Sequence, residues 1–225
     1  MIEGLDVGAP QGLITAAHWL AVKAQGKRFI LARCVEGLGS IDATFAANVA
    51  GAKAVGLPVG AYFPLHPDLD PVKQALDHFT ACKGLGTNPG ELAPWLDIEL
   101  TRGRTPAEVL AATIAWANAA SLLWRRRIVV YTYEDFDHAE LAGVAGGASL
   151  AGTDLSMAWY NPSSPPVPPP WARVTWWQNS GGKAYHLPSY APCDTDVFLG
   201  TEEEFAAACD PTAEIVAPLS PDEVS

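Results

Sequence analysis

Basic residues are scarce in this sequence. Fourteen lysines and arginines face 25 aspartates and glutamates, so the 225-residue chain has a formal charge of −11 and a pI near 4.7. A strongly acidic chain is repelled by nucleic acid and by anionic membrane surfaces, and neither is expected as a partner. The run of three arginines, Arg125–Arg127, lies between apolar segments, and the C-terminus of a helix explains it.

Cysteines and long apolar runs are also few. The four cysteines show neither C-x-x-C nor Cys/His metal spacing, which predicts free thiols and no metal or cofactor, with one disulfide left as an alternative. No apolar run approaches the roughly 18 residues of a membrane span, so membrane insertion is not expected. The N-terminus lacks a basic region followed by an apolar one, which predicts synthesis in the cytoplasm without a signal peptide.

Strand and helix patterns alternate along the first 132 residues. Hydrophobic residues make up 49% of the chain, enough for a full core. Short apolar runs predict strands, and 3.6-residue periodicity bounded by glycine or proline predicts helices. The predicted strands are 2–7, 28–35, 57–63, 93–100 and 127–132, and the predicted helices are 15–25, 41–55, 71–82 and 105–124.

The pattern changes after residue 132. A short helix is predicted at 134–141, an extended polyproline segment at 161–170, and strands at 155–160, 172–178 and 194–199. Eight strands, the first five alternating with helices, predict an α/β fold: an irregular TIM-like barrel of five β/α units followed by three strands. A doubly wound open sheet is the alternative, but its G-x-G-x-x-G turn is missing.

Two regions are predicted along the chain. The barrel is expected to occupy residues 1–209 as a single domain. Residues 210–225 form a Pro-rich acidic tail that is predicted to be disordered.

Two carboxylates share one face of the fourth predicted strand. Side chains alternate along a strand, so Asp97 and Glu99 point one way while Ile98 points the other. Like charges with Cα atoms about 6.6 Å apart on an apolar strand raise one pKa, as a general acid near neutral pH requires. The alternative is a strand that runs into a solvated loop with two incidental acids.

Polar and aromatic residues occur where the strands end, which is where parallel barrels have their active sites. Asp194 is the first residue of its predicted strand. If that strand runs antiparallel to its neighbour, as a short connecting loop favours, Asp194 lies at the same end of the barrel as the other strand-end residues. Acids and aromatic rings without metal ligands are typical of a cleft that cleaves sugars. The residues at predicted strand ends are Asp6, Glu36, Tyr62, Asp97, Glu99, Tyr131, Tyr160, Trp177 and Gln178.

Several short motifs occur together in a recognisable order. They include Gly4-Leu5-Asp6-Val7, Gly56-Leu57-Pro58-Val59-Gly60-Ala61-Tyr62, Leu96-Asp97-Ile98-Glu99, Trp177-Gln178-Asn179-Ser180 and Asp194-Thr195-Asp196-Val197-Phe198. With this combination the sequence resembles the glycoside hydrolase family 25 lysozymes, the Chalaropsis-type muramidases that include many phage endolysins. The resemblance extends over roughly residues 1–200.

The resemblance implies an activity and a set of roles. It implies cleavage of the β-1,4 bond between N-acetylmuramic acid and N-acetylglucosamine in peptidoglycan, with the substrate's acetamido group as nucleophile. Glu99 is implied as the general acid, Asp97 as the residue that orients the acetamido group, and Asp6 and Asp194 as further carboxylates. The implied sugar-binding residues are Glu36, Tyr62, Tyr131, Tyr160, Trp177 and Gln178.

Three positions depart from the family pattern. The serine usual two residues after the first aspartate is Gly8, the tryptophan usual in the sixth strand is Ser156, and the aromatic residue usual after Trp-Gln is Asn179. Two other functions stay open: a non-catalytic wall-binding or virion component, and a hydrolase of another N-acetylated glycan such as chitin. A monomer is expected, acting on the cell wall after phage lysis, from a virion or by non-classical export.

Overall fold

Eight strands close into a barrel in the order in which they occur along the chain. The computed structural model describes residues 1–83, 92–185 and 191–210. A two-stranded hairpin, Val35–Glu36 with Ser40–Ile41, is separate from the barrel sheet. The barrel strands are β1 (Ile2–Val7), β2 (Phe29–Arg33), β3 (Val59–Pro64), β4 (Trp95–Asp97), β5 (Val129–Tyr133), β6 (Asp154–Ala158), β7 (Trp176–Tyr185) and β8 (Cys193–Phe198).

The last strand runs against the others. Strands β1 to β7 pair in parallel with their neighbours, whereas β8 pairs antiparallel with both β7 and β1. The predicted α/β barrel with an antiparallel last strand is therefore confirmed. Because β8 runs downward beside β1, the first residues of β8 lie at the end of the barrel where β1 finishes.

Helices follow each of the first five strands and the last one. The connection from β6 to β7 contains no helix, in agreement with the extended segment predicted at 161–170. The helices are α1 (Ala16–Ala24), α2 (Phe45–Ala54), α3 (Pro71–Lys83), α4 (Pro106–Trp124), α5 (Glu134–Phe136), which continues into a π-helical turn at Asp137–Leu141, and α6 (Glu202–Ala208).

Some predicted elements differ from the structure. The helix predicted at 41–55 begins only at Phe45, because Ser40–Ile41 belongs to the hairpin. Strand β4 ends at Asp97, so Glu99 lies in the loop beyond the strand. Helix α6 has no predicted counterpart, although Thr201 caps it by accepting a 3.1 Å hydrogen bond from the Glu204 amide. Residues 211–225 lie outside the described part of the chain, so the boundary between barrel and tail stays a prediction.

An aromatic layer fills the lower part of the barrel. The Trp176 ring centroid lies 5.2 Å from that of Phe29, 4.7 Å from that of Trp95 and 4.6 Å from that of Phe198. Glycine at position 4 leaves space for this layer, because a Cβ at that position would lie 2.4 Å from the Phe29 ring. These large apolar side chains exclude water from the lower barrel and form a floor beneath the polar upper part.

Helix α4 belongs to a second core between the barrel and its helices. By length and composition α4 could span a bilayer, contrary to the expectation that no segment reaches that length. Seven of its side chains are buried, Trp116 among them, and α4 packs against α3. Packing in the outer core accounts for the apolar character of this buried face.

Candidate active site

A cavity of about 220 Å³ opens at the carboxyl ends of the parallel strands. Trp95, from the aromatic floor, contributes its base, and the walls are mainly carboxylates and tyrosines. All four predicted catalytic carboxylates line it, as do four of the six predicted sugar-binding residues. The lining residues are Asp6, Leu31, Tyr62, Trp95, Asp97, Glu99, Tyr131, Tyr160, Gln178, Asp194 and Asp196.

The antiparallel last strand brings Asp194 to this mouth. Asp6, near the end of β1, is the register partner of Asp194 near the start of β8. Directly opposed residues of antiparallel strands have Cβ atoms about 4.5–5.5 Å apart. The structure thus places Asp194 at the end of the barrel that the short loop before the last strand predicted.

Asp97 and Glu99 enter the cavity from β4 and the loop after it. Asp97 ends the strand and is paired in register with Tyr131 of β5. The amide of Ile98 donates a 2.9 Å hydrogen bond to the Tyr131 carbonyl, which holds the chain in strand-like alternation just past β4. Asp97 is buried, and Glu99 lies at the exposed rim of the same cavity.

The buried carboxylates repel one another. Burial raises the pKa of Asp6 well above its usual value, repulsion from Asp196 and Asp194 adds to this, and a hydrogen bond from Tyr62 opposes it. Burial likewise raises the pKa of Asp97, with Glu99 as the largest repulsive partner. Oδ1 of Asp97 is buried and has no hydrogen-bond partner among the described residues, so the carboxyl group that lines the cavity carries one unsatisfied oxygen.

Glu99 is suited to donate a proton. Partial burial raises its pKa, and the negative charges of Asp194 and Glu36 raise it further. A carboxyl group with a raised pKa keeps its proton closer to neutral pH, which is the requirement for a general acid. The rim position leaves this proton within reach of a bound polymer.

Two tyrosine hydroxyls meet at one amide. Tyr131 and Tyr160 donate hydrogen bonds of 2.9 Å and 2.7 Å to Oε1 of Gln178. Burial, together with nearby Asp194, raises the pKa of Tyr160 to about 12, so its hydroxyl stays protonated as a donor. These bonds fix the orientation of Gln178 and leave its amide nitrogen free of these two partners.

The cavity continues into a neighbouring pocket. This second space, of about 380 Å³, shares Glu99, Tyr131 and Tyr160 with the first. Tyr133 and Trp159 are among its other lining residues. Glu99 therefore stands where two pockets join, as a group acting on an internal bond of a chain-like substrate would stand.

Two predicted sugar-binding residues do not line either pocket. Trp177 belongs to the outward face of β7, because its neighbours Trp176 and Gln178 point inward, and its indole N–H donates a 2.7 Å hydrogen bond to the Trp159 carbonyl. Glu36 lies on the hairpin beside the mouth, 3.2 Å from Nε2 of His66. Its charge nevertheless raises the pKa values of Asp97 and Glu99.

Asp196 is a cavity residue that the sequence interpretation missed. It is 1% exposed, and burial, with repulsion from Asp194, raises its pKa to about 8. The alternation that pairs Asp97 with Glu99 also places Asp196 on the same face as Asp194, and this spacing is the signal that could have identified it.

The cavity contains no grouping of histidine, cysteine and acidic donors close enough to hold a metal among the described residues; the one such grouping lies elsewhere. A barrel mouth with several carboxylates, one of them suited to donate a proton, and with tyrosine donors along an extended cleft defines a hydrolase of the glycosidase class.

Comparison with known sequences gives the particular family. The profile of glycosyl hydrolases family 25 matches residues 5–185. The chain belongs to this family. The N,O-diacetylmuramidase of Arthroderma benhamiae is 28% identical over 188 residues, covering 80% of this chain and 77% of the relative.

Solved structures share the fold. The bacterial lysozyme from Streptomyces coelicolor superposes with a TM-score of 0.78 at 23% identity, covering 94% of this chain and 98% of that one. A family GH25 lysozyme from Aspergillus fumigatus gives 0.76 at 23% identity, with coverages of 93% and 99%. At 23% identity, these similarities show that the fold is shared over the whole barrel.

Proposed function

We propose that this protein is an N-acetylmuramidase, a lysozyme that hydrolyses the β-1,4 bond between N-acetylmuramic acid and N-acetylglucosamine in peptidoglycan. The observation that carries the proposal is the joint placement of Glu99 and Asp97 in one cleft, with a raised pKa at Glu99. Family membership and the N,O-diacetylmuramidase relative support the same substrate class.

In this proposal Glu99 is the general acid. Its proton passes to the glycosidic oxygen as the bond from that oxygen to the anomeric carbon of the muramic acid breaks. The acetamido oxygen of the same sugar forms a bond to the anomeric carbon and gives a cyclic intermediate. Water then adds to that carbon, gives its proton to the Glu99 carboxylate, and reopens the ring with retained configuration.

Asp97 orients the acetamido group. Asp97 lines the inner cavity, where its carboxylate accepts the acetamido N–H and so turns the acetamido oxygen toward the anomeric carbon. The ionised form of Asp97, which protonation of Glu99 favours, also stabilises the positive charge that develops on the acetamido group in the transition state. Asp194 supplies negative charge that keeps the pKa of Glu99 raised, and Asp6 lines the same cavity with a raised pKa of its own.

The cleft on both sides of Glu99 binds the glycan. Tyr131 and Tyr160, shared by the two pockets, offer aromatic surface to successive sugars while their hydroxyls hold Gln178. Gln178, fixed by both hydroxyls, offers its amide nitrogen to a carbonyl or hydroxyl of the substrate. Tyr62 completes the wall of the inner pocket.

Glu99→Gln tests this assignment, with Glu203→Gln on the exposed face of α6 as the matched control. Both proteins are incubated with purified peptidoglycan and with chitin oligomers, and released products are identified by mass spectrometry. We expect new muramic acid reducing ends from wild type and control, and a rate reduced about 1000-fold in Glu99→Gln.

Three results would contradict the proposal. Equal rates for Glu99→Gln and wild type would remove Glu99 as the acid. Glycan binding without any product would make the chain a wall-binding component, and cleavage confined to chitin oligomers would change the substrate class.

We also propose that the protein acts as a monomeric barrel, residues 1–209, on the cell wall after release from the cell that makes it. The fold similarity to the CTP1L endolysin, with a TM-score of 0.72 and coverage of 92% of this chain and 69% of that one, supports a lytic setting. Sedimentation of the purified protein tests the monomer.

A further inference from the structure

Two thiols and an imidazole meet in the outer core, away from the catalytic cleft. Cys34 follows β2 and faces outward, toward α3, where His78 and Cys82 lie one turn apart on the same face. The three side chains are each 0% exposed. Their sulfur and ring-nitrogen atoms all lie within 4.8 Å of one another.

The separation of the two sulfurs fits two ligands of one ion. Sγ of Cys34 lies 3.6 Å from Sγ of Cys82. Two thiolates bound at about 2.3 Å to a tetrahedral zinc ion have their sulfurs about 3.8 Å apart, whereas disulfide sulfurs are about 2.05 Å apart. The pair is thus arranged as neighbouring ligands of a common centre.

The polar neighbours of His78 in this cluster are the two thiols, and its interaction with Cys34 falls outside ordinary hydrogen-bond geometry. Neither ring nitrogen makes a hydrogen bond of ordinary geometry to a described residue. Its ring is surrounded by aromatic rings, with centroids 5.4 Å away at Phe63, 5.7 Å at Trp116 and 4.9 Å at Trp124. A buried imidazole without a well-formed hydrogen bond is costly, and a bound ion is one of the recognised explanations for such a group.

We propose that Cys34, His78 and Cys82 form a binding site for one thiophilic d¹⁰ metal ion, Zn²⁺ or Cu⁺. Thiolate and imidazole are the donors that such ions prefer. Two thiolates neutralise Zn²⁺, so a zinc-occupied site carries no net charge into the apolar core, whereas Cu⁺ is neutralised when one of the two cysteines keeps its proton. Zn²⁺ takes a fourth ligand in addition to these three, whereas Cu⁺ is satisfied by three. The ion ties the end of β2 to α3 and has no part in glycan cleavage.

Metal titration of the full chain tests the site. The reduced, metal-free protein is titrated with Zn²⁺ and, separately and without oxygen, with Cu⁺, each against a chromogenic competitor. We expect about one ion bound per chain, and an affinity lower by at least about 100-fold in Cys34→Ala and Cys82→Ala, since loss of an outer-shell partner alone costs about 10- to 100-fold. The control is Cys209→Ser, which removes a thiol outside the cluster and is expected to leave affinity unchanged. The ion with the higher affinity relative to the competitor identifies the metal.

A spectroscopic readout on the wild type covers the case in which an alanine variant does not fold. Co²⁺ is expected to give a thiolate-to-metal charge-transfer band and the visible bands of a low-coordinate site. Absence of both bands together with binding of neither Zn²⁺ nor Cu⁺ would overturn the proposal. Equal affinity in Cys82→Ala and wild type would overturn it as well, because the metal would then be bound elsewhere.

Discussion

Replacing Asp196 with asparagine is expected to stabilise the protein in a pH-dependent way. Asp196 is buried in the barrel, and its pKa is raised to about 8 by burial and by Asp194, with Lys27 acting in the opposite direction. In the unfolded chain an aspartate titrates near 3.9. Asparagine keeps the shape of the protonated side chain and has no charge to lose.

The magnitude follows from the two pKa values. Below about pH 4, Asp196 is protonated in both states, so the stability it contributes is fully present. As the pH rises, the unfolded chain releases the proton while the folded protein keeps it, and stability falls by about 1.4 kcal/mol per pH unit up to about pH 8. The difference in free energy of unfolding between Asp196→Asn and wild type should therefore be about 4 kcal/mol more favourable to the variant at pH 7 than at pH 4.

Urea unfolding of both proteins between pH 4 and pH 8 measures this difference. Asp70→Asn is the matched control: Asp70 is exposed at the start of α3, and hydrogen bonds, led by that from the Lys73 amide, lower its pKa. Because the pKa of Asp70 is lowered in the folded protein, the stability that Asp70 contributes is present at higher pH and is lost as the pH falls. Its pH dependence is thus opposite to that of Asp196. A difference between Asp196→Asn and wild type that does not change with pH would refute the assignment of Asp196 as a buried neutral acid.

Two further substitutions probe the site and the floor beneath it. Asp194→Asn removes a charge that raises the pKa of Glu99, so the alkaline limb of kcat/KM against pH should move to lower pH; an unchanged limb would show that the two groups do not interact. Gly4→Ala places a Cβ 2.4 Å from the Phe29 ring and should cost about 1–3 kcal/mol in urea unfolding. Gly147→Ala, with its nearest atom 3.7 Å away, is the control, and equal stability of the two variants would argue against tight packing at Gly4.

The barrel could be predicted because its strands and helices have distinct periodicities. Each of the eight predicted strands has an observed counterpart, and the antiparallel last strand followed from the short loop before it. Boundaries were less predictable where the chain changes direction. Helix α2 starts at Phe45 because local pairing of Val35–Glu36 with Ser40–Ile41 competes for residues with helical spacing.

The site was predictable to the extent that strand alternation was applied. Alternation correctly grouped Asp97 with Glu99, and it also separates Trp177 from Gln178, although both were predicted to line the cleft. Applied to β8, the same rule would have added Asp196. The proposed metal-binding cluster could not be predicted from the sequence, because Cys34 is 44 residues from His78 and only folding brings them together.

The seam between β1 and β8 has a consequence for folding. It joins residues 2–6 to residues 194–198, so Asp6 and Asp194 become neighbours only when the two ends of the barrel meet. Closing a loop of that length costs on the order of 5 kcal/mol in chain entropy, and such distant pairings form slowly. The complete set of cavity carboxylates is therefore a late product of folding, and a chain still being synthesised, or one arrested before β8, has no assembled active site.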